Sequence, residues 1–260
     1  MQQVTIPVRD GHVHTSLCHH ATGTMEEFVQ AGLQAGLKEL IFLEHMEEGI
    51  IAPRTTWLSE KDFDSYFAEG GRLQKKYATE MKIGLGVECG VNPTCTKRLR
   101  ERIAKRDWDS VGISCHFLLV PEISPHHINL LSRDEQYLQL ARSAGTTSLL
   151  KRYFDNLIEA VTIFPATKIC HLDAALRHHG KPLLEDSHFQ QIETLFVEMK
   201  KADIALEVNT SGLDIRNEPF PSRFLLEIAA TYNLRLEFGS DAHQPREVAR
   251  HFATIKSWLP

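Results

Sequence analysis

The chain has 260 residues, with 29 lysines and arginines against 34 aspartates and glutamates and a net charge of -5. That length suits a single barrel domain, residues 1–260, better than two domains, and the charge leaves no basic footprint for nucleic acid or an anionic membrane. Five cysteines without a Cys-x-x-Cys pair exclude a disulfide framework and a cysteine zinc site, and read as buried thiols.

In chain order, the first expected strand runs from Val8 to His12 and ends in Asp10-Gly11-His12-Val13-His14. Thr24-Met25-Glu26-Glu27 follows as a capping box, in which the threonine oxygen and the Glu27 carboxylate satisfy free amides at a helix start. Met25, Phe28, Val29 and Leu33 then share one face of the first crossover helix. Strands are expected at Glu39 to Leu43, followed by Glu44-His45, at Lys82 to Val87, followed by Glu88, and at Ser110 to Cys115, followed by His116. The Pro- and His-containing stretch Val120 to Asn129 reads as a long loop between strand and helix. Leu150, Tyr153, Phe154, Leu157, Ile158 and Val161 recur at helical spacing before a strand at Lys168 to His171, with Asp173 beyond it. Ser187 to Gln190 repeats the capping arrangement and opens a helix carrying Phe189, Ile192, Leu195, Phe196 and Met199. A strand at Ile204 to Val208 precedes Asn209, and a last one at Arg235 to Phe238 precedes Gly239-Ser240-Asp241-Ala242-His243.

Strand alternating with helix predicts parallel strands joined by right-handed crossovers, because parallel neighbours need a long connection. Seven such units give an α/β fold, a distorted seven-stranded (β/α)7 barrel of TIM type. An open doubly wound sheet is the alternative, although it would not easily bring the first and last strands together. There is no apolar run of about 18 residues and no basic, apolar leader, so a cytoplasmic protein is expected, with a small-molecule partner and neither nucleic acid nor membrane.

The chain has 14 histidines, and many of them fall at strand ends. A single histidine or carboxylate there is usually a hydrogen-bonded loop residue; a polar group at all seven ends instead describes one site. His12 and His14, two apart on a strand, would point to opposite faces unless the strand ends or twists between them. Gly11 permits that departure, and Asp10 could accept a proton from a ligand imidazole. Nitrogen and oxygen ligands without thiolates suit zinc, iron(II) or manganese. Arg177, six residues past His171, and Arg216, in the loop after Gly212, carry planar forks suited to an anionic substrate, while His178, His179 and Lys181 are weaker candidates. His126, His127, His188 and His251 read as loop or surface histidines. No serine or cysteine stands at a recognisable spacing from a general base, so no covalent intermediate is expected.

The motifs DGHVHT, Cys18-His19-His20, FLEH at Phe42 to His45, GVE at Gly86 to Glu88, SCHF at Ser114 to Phe117, NTSGL at Asn209 to Leu213, EPFPS at Glu218 to Ser222, and GSDAH together resemble the polymerase-and-histidinol-phosphatase (PHP) family, most closely its histidinol-phosphate phosphatases. The resemblance implies three divalent metal ions in a cleft at the carboxyl ends of the barrel strands. It assigns His12, His14, Glu88 and Asp241 to the first ion, Glu88, His116 and His171 to the second, and His20, His45 and His243 to the third. His19 would be a solvated neighbour, and Glu44 a ligand, a support for one, or a proton-transfer group. It further implies hydrolysis of histidinol phosphate by a metal-bridging hydroxide, with Asp241 or His243 protonating the leaving group and both arginines on phosphate. Another small phosphomonoester, a nucleotide, or the substrate of a metal-dependent amidohydrolase are the competing readings. Leu118, Glu122, His126 and the segment from Glu47 to Trp57 are candidates for recognising the rest of the substrate.

Overall fold

The computed structural model describes residues 7–179 and 184–260. The first half of the barrel is built from β1 (Arg9–Val13), α1 (Met25–Gln34), β2 (Glu39–Met46), α2 (Glu60–Lys76), β3 (Lys82–Gly90), α3 (Thr96–Ile103) and β4 (Ser110–Ser114). A hairpin of β5 (Phe117–Leu118) and β6 (Ile128–Asn129) then precedes α4 (Glu135–Ala144) and α5 (Thr146–Ile163). The second half comprises β7 (Lys168–Ile169), α6 (Asp186–Lys201), β8 (Ala205–Asn209), the short α7 (Gly212–Arg216), α8 (Arg223–Thr231) and β9 (Leu236–Gly239).

Seven strands form one parallel sheet in the order β1-β2-β3-β4-β7-β8-β9. The sheet curls until its two edges meet. Val13 bridges Ala242 in parallel, the Asp241 amide donates to the His12 carbonyl at 2.8 Å, and the His14 amide donates to the Ala242 carbonyl at 2.9 Å. The expected seven-stranded barrel is therefore present, sewn shut just beyond the carboxyl end of its last strand. Its main core lies between sheet and helices, around Phe28, Phe42, Phe63, Tyr66, Tyr153, Phe154 and Phe196. Inside the barrel Ile41, Leu43 and Cys170 make a small separate plug, which leaves the upper interior to polar groups. All five cysteines are free and buried, and no helix among the described residues is long and apolar enough to cross a membrane.

Three local expectations are corrected. The segment Val120 to Asn129 is not loop throughout, since Ile128 and Asn129 pair antiparallel with Leu118 and Phe117. Strands β2 and β3 run on to Met46 and Gly90, so His45 and Glu88 lie inside strands and face each other in register. Helix α6 is capped by Glu185 rather than Ser187, because His188, three residues on, accepts the Glu185 amide through Nδ1 at 2.9 Å.

Candidate metal centre

The pairing of β1 with β2 slips from Asp10↔Leu40 to Val13↔Phe42, so β1 carries one extra residue around Gly11 and His12. A bulge of this kind resets the alternation of side chains. With the strand ending at Val13, it lets His12 and His14 both turn inward, each 0% exposed. Asp10 does not touch an imidazole, contrary to expectation. Its carboxylate accepts the amides of His12 at 3.3 Å, Ser240 at 2.9 Å and Ala249 at 2.9 Å, tying the start of the chain to its end. The partner of His12 is instead Glu207 on β8, whose oxygens lie 3.0 and 2.9 Å from Nδ1.

Glu88 stands at the centre. Its Oε1 meets His116 Nε2 at 3.1 Å and His171 Nε2 at 2.8 Å, and its Oε2 lies 2.9 Å from His45 Nδ1, 3.5 Å from His12 Nε2 and 3.7 Å from His14 Nε2. Asp241 Oδ1 is 3.2 Å from His14 Nε2 and 3.8 Å from His12 Nε2. On the outer side His20 and His243 face each other, Nε2 to Nε2, at 2.9 Å. His45 belongs with both groups, resting on Glu88 while its ligand atom clusters with those of His14 and His243. His171 and Asp241 hold positive φ of 27° and 52°, left-handed conformations that non-glycine residues keep where surrounding contacts enforce them. One such contact is Arg250, whose guanidinium donates to the carbonyls of Ser240 at 2.8 Å and Asp241 at 2.7 Å.

Outer contacts aim the imidazoles. Glu47 Oε1 lies 2.7 Å from His116 Nδ1. Gly90 leaves room for it, since a Cβ there would stand 2.0 Å from the Glu47 carboxylate. Glu44 accepts the Thr15 amide at 2.8 Å and hydroxyl at 2.5 Å and stays 3.9 Å from His14 Nδ1, so it braces the turn after β1. Glu207 and Glu47 were not singled out for these roles in the sequence. The available signal was parity, because Glu207 lies two residues before Asn209 on the same strand face.

The donor set fits cations. His20 Nδ1 donates to the Cys18 carbonyl at 2.8 Å, and His243 Nδ1 to the Asp241 carbonyl at 3.0 Å. Burial, reinforced by neighbouring imidazoles, pushes His20 down and His243 well below the ordinary histidine value. Both rings are therefore neutral and turn Nε2 lone pairs toward each other, an arrangement that a cation between them resolves. Deeper in, burial alone would lower His116, but Glu88 and Glu47 outweigh it and lift it to about 10. Burial opposes the charge on Glu88 and Asp241 as well, yet the surrounding histidines hold both well below the usual carboxylate range. A buried site with that much negative potential draws protons in the bare chain and divalent cations when they are supplied. His14 Nδ1 is buried without a hydrogen-bond partner, and His45 Nδ1 and Glu88 Oε2, although 2.9 Å apart, are not aligned to bond each other.

Above these groups opens a cleft of about 630 Å³, lined by His20, His45, His116, His171, Asp241, His243 and Arg177, among others. Glu47, Arg54 and Thr56 line it from the segment expected to recognise substrate, and Phe117 and Asn129 join them; Leu118, Glu122 and His126 are not among its lining. Arg177 donates Nε to the Leu131 carbonyl at 3.3 Å. Arg216 lies one step away, in an adjoining hollow that it shares with Arg177. It donates to the Asp173 carbonyl at 3.1 Å, meets the Asp173 carboxylate at 3.0 Å and stacks 4.3 Å from the Phe220 ring centroid. His178 lines the cleft, while His179 is half-buried and absent from its lining. Lys181 lies outside the described residues. His19, His126 and His251 are exposed, but His127 and His188 are buried, with Nδ1 accepting the amides of Ile51 at 3.1 Å and Glu185 at 2.9 Å, so those two are structural rather than surface histidines.

The PHP domain family model matches residues 10–211. A Deinococcus radiodurans protein named "Probable histidinol-phosphatase" is 31% identical over 260 residues, covering 94% of this chain and 89% of its own. The histidinol-phosphatase of Bacillus subtilis is 20% identical over 258 residues, covering 92% of this chain and 95% of its own. Among solved structures, a Listeria monocytogenes protein superposes with a TM-score of 0.82 at 22% identity, over 95% of this chain and 99% of that one. The histidinol phosphate phosphatase of Lactococcus lactis, complexed with Zn, L-histidinol and phosphate, superposes with a TM-score of 0.78 at 19% identity, over 96% of this chain and 92% of that one. At these identities the structural matches speak for the fold.

Proposed function

This chain belongs to the PHP domain family, and from that premise we propose that it is a metal-dependent phosphatase that hydrolyses L-histidinol phosphate to histidinol and phosphate, a step of histidine biosynthesis. The observation that carries the reading is the convergence of His12, His14, His20, His45, Glu88, His116, His171, Asp241 and His243 on one cleft that also holds Arg177. The 31% identical relative supports the substrate.

In this reading three ions are held, the first by His12, His14, Glu88 and Asp241, the second by Glu88, His116 and His171, and the third by His20, His45 and His243. Their nitrogen and oxygen donors suit zinc, iron or manganese. When bound, divalent ions acidify water for attack on phosphorus and neutralise phosphoryl oxygens.

The chain's own residues supply the rest. Arg177, half-buried at the cleft wall and within the field of Asp241 and Glu88, offers a planar fork to the phosphate dianion, and Arg216 joins it from the adjoining hollow once its guanidinium turns from Asp173. The departing alkoxide receives its proton through Asp241 or His243. Because both sit well below their ordinary values, they pass on a water proton rather than release a stored one. A cysteinyl intermediate is disfavoured, since burial pushes Cys18, Cys115 and Cys170 up to about 12 and keeps them protonated. The test is a panel of phosphomonoesters with metal-loaded protein. Histidinol phosphate should be turned over with the highest kcat/KM by a wide margin; equal or lower turnover than nucleotides and generic esters would sink the substrate assignment.

A further inference from the structure

Lys168 opens β7 and is 0% exposed in the barrel interior. Lysine is rarely buried without a specific partner. Its Nζ donates to the Gly11 carbonyl in the bulge of β1 and lies 3.3 Å from Glu207 Oε2. A Cβ on residue 11 would meet that Nζ at 3.2 Å, so glycine at the bulge leaves the amine its place. Glu207 in turn accepts Asn209 Nδ2 at 2.7 Å and lies 2.9 Å from His12 Nδ1. Both of the amine's contacts therefore end on His12, one through the backbone just before it and the other through the carboxylate behind its ring.

We propose that Lys168 is a positioning residue for the metal centre, holding the Gly11 carbonyl and the Glu207 carboxylate so that His12 keeps its proton on Nδ1 and turns its Nε2 lone pair into the site. The proposal rests on the ligand reading given above. An ammonium has only donors, so the Glu207 oxygens it and Asn209 engage act as acceptors. An accepting carboxylate beside His12 Nδ1 requires the N–H there, which leaves Nε2 free for a metal. Contacts behind a ligand of this kind are worth about 10- to 100-fold in metal affinity.

The test measures zinc affinity by competition with a chromophoric chelator, alongside the melting temperature of the metal-free protein. Lys168→Met should weaken the tightest zinc site about 10- to 100-fold. In a Glu207→Gln background the same substitution should cost less than it does in the native protein, since the carboxylate route is already gone and only the Gly11 contact is left to lose. The double variant leaves no unpaired buried charge, so it remains testable if Lys168→Met alone does not fold. Native zinc affinity in a folded Lys168→Met protein would overturn the proposal, as would losses that multiply in the double variant. His12→Ala is the control: if it keeps native affinity, the ligand reading itself falls, whatever Lys168 does.

Discussion

Glu88 is a single buried carboxylate facing five imidazoles, and this geometry explains why it stays ionised far from water. Arg177 lines the same cleft, as do Arg54 and Arg133, and in the proposed reading it is the cation that meets the substrate dianion. Replacing it with alanine removes charge-assisted hydrogen bonds worth about 1.5–3 kcal/mol, so KM for histidinol phosphate should rise about 10- to 100-fold with a smaller change in kcat. Steady-state kinetics would check this, and an unchanged KM would remove Arg177 from the phosphate site. Eight of the nine proposed metal ligands were legible in the sequence because they stand at or near the end of a strand, where fold and chemistry coincide; His20, seven residues beyond β1, came only from the family resemblance. Glu207 and Glu47 were not, because an acidic residue within a strand reads the same whether it faces solvent or a ring nitrogen. The surroundings of Arg216 were hidden for a related reason, since its contact with Asp173 joins loops from two different units.

At the scale of elements, the register that sets His45 opposite Glu88 continues to Met46↔Cys89, just before Gly90. Gly90→Ala would drive a methyl group into Glu47 and so displace the carboxylate behind His116. The account expects about a 10- to 100-fold loss of metal affinity from this substitution, measurable by titrating metal into the folded variant; native affinity would show that Glu47 does not orient His116. Between α2 and α3, Glu60 pairs with Arg102 at 2.8 Å and Arg106 at 2.8 Å. Burial opposes its charge, but the two guanidiniums prevail and hold it at about 2, against an ordinary value of 4.5. A carboxylate depressed on folding stabilises above its unfolded value, and the contribution fades as pH falls from about 4.5 towards 2. Urea unfolding should show Glu60→Gln less stable than the parent at pH 7, by at most about 1 kcal/mol for so exposed a pair, and the gap should shrink below pH 4.5 and close only as pH approaches 2. Helix starts were partly legible: Thr24 caps α1 as its spacing predicts, with the Glu27 carboxylate 2.7 Å from its amide. At α6 the pattern at Ser187 misled because the neutral ring of His188 can accept an amide as a carboxylate does.

Over the whole molecule, the two ends of the chain meet at the site. Asp10 grips the amides of Ser240 and Ala249, His14 bonds to Ala242, and His12 and His14 stand against Asp241. The seven-unit barrel was legible from alternating strand and helix patterns, and its closure from the metal-binding motifs at both ends of the chain. The means of closure was not, because it depends on a one-residue bulge and on hydrogen bonds between residues some 230 positions apart, which leave no periodic trace. If the ions join these ends, metal removal must cost both stability and catalysis. The most direct measurement is phosphate release from histidinol phosphate by protein stripped with chelator and then titrated with zinc, iron or manganese, with bound metal determined at every point. Activity should vanish in the stripped protein, return in step with bound metal, and be accompanied by a rise in melting temperature. Undiminished hydrolysis by protein shown to be metal-free would contradict the account at its centre.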